Sequence, residues 1–172
     1  MKVALVRHPP PAIAAGTCYG RLDVPLRVEA AATVPAVAAR LAAEGFARAW
    51  SSPARRCAVV ADALGLPVRL DARLRELDFG VWEGLAWAAV PRAALDAWAA
   101  DPLGFAPPGG ESGAALLARV QAVLADLRAA GEDCVVVSHG GPLKLFGALL
   151  RGASPDLLAP APALGSVEIL TA

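Results

Sequence analysis

Two histidines follow two short apolar segments, and their placement is the clearest chemical signal in this chain of 172 residues. Residues 2–6 lead into Arg7-His8, and residues 134–137 lead, through a serine, into His139. Short apolar segments bounded by polar or turn-forming residues are typical of buried strands, and open α/β sheets place their ligands at the carboxyl ends of such strands. The sequence therefore predicts that the two imidazoles face each other at one edge of a parallel sheet.

The neighbours of the histidines favour anion chemistry over metal binding. Two histidines remote in sequence come with no Cys or carboxylate at metal-ligand spacing, and Arg7 beside His8 would repel a cation. A single histidine at the end of a strand is more often a structural hydrogen-bonding residue than a catalyst. Two at equivalent positions, one beside an arginine and one before a glycine pair, indicate a shared site that involves no metal.

Four sequence motifs resemble those of the histidine phosphatase superfamily, also called the phosphoglycerate mutase-like family. They occur in the family's order across nearly the whole chain: Arg7-His8, Ser51-Ser52-Pro53-Ala54-Arg55-Arg56, the block from Leu74 to Gly84, and Ser138-His139-Gly140-Gly141. The resemblance implies hydrolysis of a phosphomonoester through a phosphohistidine, without a cofactor. It also implies the catalytic residues, which are His8, Glu76, His139, Arg7 and Arg56.

Each of these residues has a chemical role in the implied reaction. His8 attacks phosphorus, and its positively charged surroundings should lower its pKa and keep the imidazole neutral. Arg7, Arg56 and His139 should neutralise the non-bridging oxygens of the phosphoryl group. Arg55 is interpreted either as a substrate contact or as a solvated surface charge.

Two glutamates compete for the role of proton donor. Glu76 lies among apolar residues, a setting that raises the pKa of a carboxylic acid and suits it to protonate the leaving group. Glu83 is the rival, but its preferred interpretation is a charge at the N-terminus of a helix over residues 85–90. The sequence alone leaves the choice between the two open.

The loop after His8 departs from the family pattern. Pro9 stands where the family has glycine, and proline cannot adopt every backbone conformation open to glycine, so the geometry behind His8 is in question. Residues 18–26 are similar instead to α-ribazole phosphatases of cobalamin assembly. This similarity brings the loop into the expected substrate-binding set, which is Arg7, Arg56, His139, Gly140, Tyr19 and Arg21.

Several alternatives remain beside α-ribazole 5′-phosphate hydrolysis. A broad-specificity small-molecule phosphatase has the same site, and a phosphoglycerate mutase is disfavoured because the chain ends soon after its last strand. A protein phosphohistidine phosphatase is disfavoured by the Glu76 block and the insert that follows it. A non-catalytic binding module is the remaining class, and it is disfavoured because every core ionisable group is present.

Composition sets outer limits on the function. The formal net charge is zero, so nothing indicates nucleic acid or an anionic membrane as a partner, and no apolar run approaches the ~20 residues of a membrane span. No signal peptide is recognised, and the three widely spaced cysteines are interpreted as reduced thiols in cytoplasm. The oligomeric state is left open, with a homodimer one possibility.

Strand-like and helix-like segments alternate, which predicts a three-layer α/β/α sandwich with a mostly parallel sheet. One domain over residues 1–172 is expected, with a variable cap over residues 84–110 whose Trp87 and Trp98 are candidates to stack on a substrate ring. Strands are predicted at 2–6, 46–51, 67–70, 134–137 and 167–170. Helices are predicted at 28–44 with a kink at Pro35 or a late start near Val34, at 53–64, from a Ser112 cap to 130, and at 140–150.

Overall fold

A central sheet of five strands organises the chain in a computed structural model that describes residues 1–171. The spatial order is β3-β2-β4-β1-β5, and β5 alone pairs antiparallel. The predicted α/β architecture with a mostly parallel sheet is confirmed. The strands are β1 (Lys2–Arg7), β2 (Arg48–Ser51), β3 (Val68–Leu70), β4 (Cys134–Ser138) and β5 (Val167–Thr171).

The sheet is buried on both faces, because successive side chains of a strand point to opposite sides. In β1, Val3 and Leu5 join one hydrophobic cluster, and Ala4 and Val6 join the other. The first cluster lies under the helices α5 (Gly113–Ala130) and α6 (Gly140–Leu150), and the second lies under α2 (Val34–Ala42) and α3 (Arg55–Asp62). β4 is buried at every position, as expected for a strand covered on both sides.

The helix predicted over residues 28–44 is divided. A single turn, α1 (Val28–Ala31), precedes α2, and the hydroxyl of Thr33 donates to the carbonyl of Ala30 at 2.7 Å between them. Pro35 lies in the first turn of α2, where its missing N–H costs no hydrogen bond, so the predicted late start near Val34 is confirmed.

The predicted cap of α5 is confirmed. The hydroxyl of Ser112 accepts from the backbone N–H of Ala115 at 3.2 Å, and Gly131 ends the helix with a positive φ of 64°. α5 contacts α6, and both helices contribute residues to the first hydrophobic cluster.

Residues 84–110 form a short 3₁₀ turn (Trp87–Ala89) and the helix α4 (Arg92–Ala100). The α-helix expected over 85–90 is therefore absent. Just before this segment, Gly84 has a positive φ of 85°, which lies outside the α-helical region. Three rings of this segment pack together with two rings that precede it; the set is Phe79, Trp82, Trp87, Trp98 and Phe105.

Candidate active site

The two histidines meet where adjacent parallel strands end. β1 and β4 are paired so that Arg7 lies opposite Ser138, which brings the following residues, His8 and His139, side by side. Their ring centroids are 5.2 Å apart in an edge-to-face arrangement, and each residue is only 1% exposed. The predicted juxtaposition of two imidazoles is present in the structure.

A backbone carbonyl fixes the proton on one nitrogen of His8. Nδ1 lies 2.7 Å from the carbonyl oxygen of Pro9. A carbonyl can only accept, so Nδ1 carries the hydrogen and Nε2 keeps its lone pair. Position 9 contributes an oxygen and needs no N–H there, and no residue other than glycine among 1–171 has a positive φ. Proline is thus compatible with this geometry.

Both imidazoles are held in the neutral form. Burial, opposed by the hydrogen bond to Pro9 and assisted by the charges of Arg56 and Arg7, lowers the pKa of His8 to about 3. The pKa of His139 also lies well below its ordinary value, chiefly because of burial and then because of Arg56. At neutral pH, His8 is therefore available as a nucleophile.

Two guanidinium groups supply positive charge beside the histidines. Arg56 is fully buried and donates to the carbonyls of Leu22 and Gly20, each at 2.8 Å. Arg7 donates to the carbonyl of Pro162 at 2.5 Å. Within residues 1–171 neither arginine forms an ion pair, and the Nε of each is buried without a hydrogen-bond partner. Cations that keep such unused donors fit an anionic ligand.

Glu76 lies at the start of α6, in a more polar setting than expected. Its carboxylate accepts from the backbone N–H of Gly141 at 3.2 and 3.1 Å and from that of Leu77 at 2.9 Å. A side chain at position 141 would collide with a carboxylate oxygen of Glu76, so only glycine allows this approach. The apolar neighbours Leu74 and Leu77 are buried, but the carboxylate itself contacts backbone donors.

Three of these groups line a cavity of about 150 Å³, whereas Arg56 and His139 do not line it. His8, Arg7 and Glu76 share it with residues of the loop after β1 and with Trp87 from the segment 84–110. Its full lining is Arg7, His8, Thr17, Tyr19, Glu76, Phe79 and Trp87. A nucleophile, a cation and a carboxylate that face one small space can act on the same phosphoryl group.

Three expected substrate-binding residues remain, and the structure places them in different surroundings; they are Tyr19, Gly140 and Arg21. Tyr19 lies over Arg56, with its ring centroid 5.3 Å from the guanidinium carbon, and burial raises its pKa although Arg7 and Arg56 oppose this. Gly140 packs against Arg7, since a Cβ there would lie 3.1 Å from Nη2. Arg21 instead points to Glu111 at 3.5 Å and does not line the cavity.

Glu83 binds the loop after β1, which lies about sixty residues earlier in the sequence. Its carboxylate accepts from the backbone N–H groups of Arg21 at 2.7 Å, Leu22 at 2.6 Å and Phe79 at 3.1 Å. The interpretation of Glu83 as a helix N-terminal charge is wrong, because no α-helix follows it. Its carboxylate is occupied by main-chain donors outside the cavity.

Ser52 is a site residue that the sequence motifs contain but do not mark. Its hydroxyl lies 2.8 Å from Nε2 of His139, and the thiol of Cys57 lies 3.6 Å from the same nitrogen. Ser52 follows β2 as His8 follows β1, and this equivalence was the available signal.

Arg55 lies in the first turn of α3. Its backbone N–H donates to the carboxylate of Asp23 at 2.8 Å, and its side chain is exposed.

No group of three or more His, Cys, Asp or Glu side chains within residues 1–171 is arranged to hold a metal ion. None of the helices in this part of the chain is long and apolar enough to cross a membrane.

The fold and the site together define a class of protein: an α/β protein that gathers two neutral imidazoles and two guanidiniums at one edge of its sheet. Residues 3–171 match the histidine phosphatase superfamily (branch 1). The chain belongs to this superfamily, and it is a phosphomonoester hydrolase.

Named relatives include two curated phosphatases. A putative phosphoserine phosphatase 2 of Hydrogenobacter thermophilus is 32% identical over 80% of this chain and 71% of its own length. A glucosyl-3-phosphoglycerate phosphatase of Mycolicibacterium vanbaalenii is 34% identical over 90% of this chain and 76% of its own length.

Solved structures confirm the likeness over the whole fold. A mycobacterial glucosyl-3-phosphoglycerate phosphatase in complex with VO3 superposes with a TM-score of 0.87 at 28% identity, covering 99% of this chain and 90% of the other. A protein of Thermus thermophilus superposes with a TM-score of 0.80 at 30% identity, covering 99% and 94%. The resemblance to the histidine phosphatase superfamily is thus confirmed, while the two curated relatives are named as phosphatases of phosphoserine and of glucosyl-3-phosphoglycerate and not of α-ribazole phosphate.

Proposed function

We propose that the chain hydrolyses a small phosphomonoester by transferring its phosphoryl group to Nε2 of His8 and then to water. The observation that carries the proposal is the hydrogen bond from Nδ1 of His8 to the carbonyl of Pro9, which leaves Nε2 as the free nucleophile. Two guanidiniums without ion-pair partners among residues 1–171, those of Arg7 and Arg56, flank it and would bind the phosphoryl oxygens.

The first step exchanges one bond to phosphorus for another. The lone pair of Nε2 forms the N–P bond, the ester O–P bond breaks, and Glu76, in its acid form, gives its proton to the departing alkoxide. Arg7, Arg56 and His139 stabilise the charge on the non-bridging oxygens as the ester bond loosens. Preorganised donors are effective here because the site is buried and does not have to reorganise.

The second step regenerates the enzyme. Glu76, now a carboxylate, takes a proton from water as the water oxygen attacks phosphorus. The N–P bond breaks, its electron pair returns to Nε2 of His8, and inorganic phosphate leaves. The hydrogen bonds from Gly141 and Leu77 orient the Glu76 carboxylate toward the cavity for both transfers.

The named relatives act on two different phosphomonoesters and so do not identify a single substrate. The named relatives are phosphatases of phosphoserine and of glucosyl-3-phosphoglycerate. The α-ribazole 5′-phosphate prediction rests on the loop over residues 18–26 and has no support from these relatives. A cytoplasmic location, a single domain with a cap over residues 84–110, and a role for Arg21 in substrate binding stay predictions.

The proposal is tested by detecting the covalent intermediate in the wild type and its absence in a His8 variant. Wild-type protein mixed with a ³²P-labelled phosphomonoester and quenched in alkali should retain label, because phosphohistidine survives base. His8→Asn should retain none and should release no phosphate, with a folded circular dichroism spectrum as control. Label retained by the His8→Asn protein would sink the assignment, and activity abolished by EDTA would indicate a metal enzyme.

A substrate panel in the same assay separates the finer alternatives. The values of kcat/KM for phosphoserine, glucosyl-3-phosphoglycerate, α-ribazole 5′-phosphate and 3-phosphoglycerate are compared. A preference of a hundredfold or more for one ester would name the substrate, and similar rates on all would define a broad-specificity phosphatase.

A further inference from the structure

A second cavity, of about 180 Å³, is lined by Glu76 but not by His8. It shares Arg7, Glu76 and Phe79 with the cavity at His8, so the two spaces adjoin. A phosphoryl group held between Arg7 and His8 would therefore have its ester substituent directed past Glu76, the residue that protonates the ester oxygen.

The walls of the second cavity are mostly apolar. Phe79 and Trp98 form an edge-to-face pair with centroids 5.9 Å apart, and Leu77, Leu116 and Leu157 complete the surface. These residues offer no hydrogen-bonding side chain except the indole N–H of Trp98. Such walls favour a flat apolar group over a sugar or an amino acid, whose polar atoms would lose their hydration.

Lys144 is a second cation, after Arg7, in the lining of this cavity. Its ammonium donates to the carbonyls of Leu157 at 2.5 Å and Ala159 at 3.0 Å. An ammonium has three hydrogens, so one donor is left for a ligand in the cavity. Burial lowers the pKa of Lys144, while the carboxylates of Glu76 and Asp156 oppose the shift.

We propose that this cavity is the leaving-group subsite, and that it selects phosphomonoesters of alcohols that carry a flat apolar ring with one hydrogen-bond acceptor for Lys144. The inference rests on the proposed function and adds a substrate class to it. Neither the phosphoserine nor the glucosyl-3-phosphoglycerate of the named relatives has such a ring.

The test uses alkyl esters whose leaving groups have similar basicity, so that binding alone distinguishes them. The esters are ethyl phosphate, 2-phenylethyl phosphate and 2-(4-pyridyl)ethyl phosphate. Burial of a phenyl ring should raise kcat/KM at least about tenfold over ethyl phosphate. The pyridyl ester should exceed the phenyl ester, and Lys144→Met should bring that second ratio to about one.

Two adjacent leucines provide matched variants. Leu157 lines the cavity, whereas Leu158 is 56% exposed and does not line it. Leu157→Trp should fill the cavity and reduce the phenyl-to-ethyl ratio to near one. Leu158→Trp, which adds the same side chain one residue away, should keep the wild-type ratio.

Binding of the corresponding phosphonates separates this inference from the proposed function. By calorimetry, 2-phenylethylphosphonate should bind at least about tenfold tighter than ethylphosphonate. If neither ester is hydrolysed but this difference remains, the phosphatase mechanism fails and the subsite stands. Equal affinities for the two phosphonates, together with equal kcat/KM values for the phenyl and ethyl esters, would overturn the subsite alone. A preference for phosphoserine that Lys144→Met removes would also overturn it.

Discussion

His8 and His139 are both buried and neutral, yet the hydrogen bonds to their ring nitrogens differ in kind. The carbonyl of Pro9 can only accept, and so it determines the tautomer of His8. The hydroxyl of Ser52 can donate or accept, and so it leaves His139 able to change tautomer when a phosphoryl oxygen arrives. The sequence predicted the pair of histidines but not this difference, because main-chain partners carry no signature in the side-chain pattern.

The low pKa of His8 makes the stability of the protein depend on pH. In the unfolded chain His8 titrates near 6.5, and in the folded chain its pKa is about 3. As pH falls below 6.5, the unfolded state takes up a proton that the folded state does not. The wild type should therefore lose stability relative to His8→Asn by about 1.4 kcal/mol for each pH unit, down to about pH 3, and keep its full stability above about pH 6.5.

Urea unfolding of both proteins between about pH 7 and pH 4 measures this difference. Because His139 is present in both, its own titration cancels in the comparison. Parallel stability curves for wild type and His8→Asn would contradict the assigned burial of His8.

Substitutions of Glu76 and Glu83 are distinguished by how their effect on kcat/KM depends on the leaving group. Glu76→Gln should lower kcat/KM for an alkyl phosphate about a hundredfold or more, and lower it much less for 4-nitrophenyl phosphate, whose leaving group needs no proton. Glu83→Gln should affect both esters equally, because Glu83 binds backbone N–H groups of the loop after β1. A leaving-group dependence in Glu83→Gln instead would transfer the role of acid to Glu83.

At the scale of elements, the approach of Glu76 to the start of α6 depends on Gly141. Gly141→Ala would place a methyl group against the carboxylate and should lower kcat at least about tenfold by displacing Glu76, the proposed proton donor. Gly147→Ala is the matched control on the same helix, because its methyl group would meet only the far end of the Arg151 side chain. Comparable activities for both variants in steady-state assays would show that the Glu76 contact is dispensable.

The elements themselves were predictable where periodicity or a cap marked them. Ser112 before α5 and Pro35 near the start of α2 are local signals, and both were interpreted correctly. Glu83 was misplaced because its partners lie about sixty residues earlier in the chain. Arg21 has its partner, Glu111, about ninety residues later, and one sequence contains no sign of such a pairing.

At the scale of the whole molecule, a net charge of zero conceals a local excess of positive charge. Inorganic phosphate should satisfy Arg7 and Arg56 in the folded state only, and should therefore raise Tm. At one hundred times its Kd, the stabilisation is about 2.7 kcal/mol, or roughly 5–10 °C for a chain of this size. The measurement is thermal unfolding in phosphate against chloride at equal ionic strength, and an unchanged Tm would argue against an anion site.

β1 is the first strand of the chain, and both of its neighbours in the sheet come from the last forty residues. During synthesis it must remain without these partners until β4 and β5 have left the ribosome, so contacts distant in sequence close the fold late. The same pairing carries His8 to His139. Pairing of β1 with β4 and assembly of the proposed site are therefore one event, and a nascent chain released before residue 139 would lack one of the two histidines of that site.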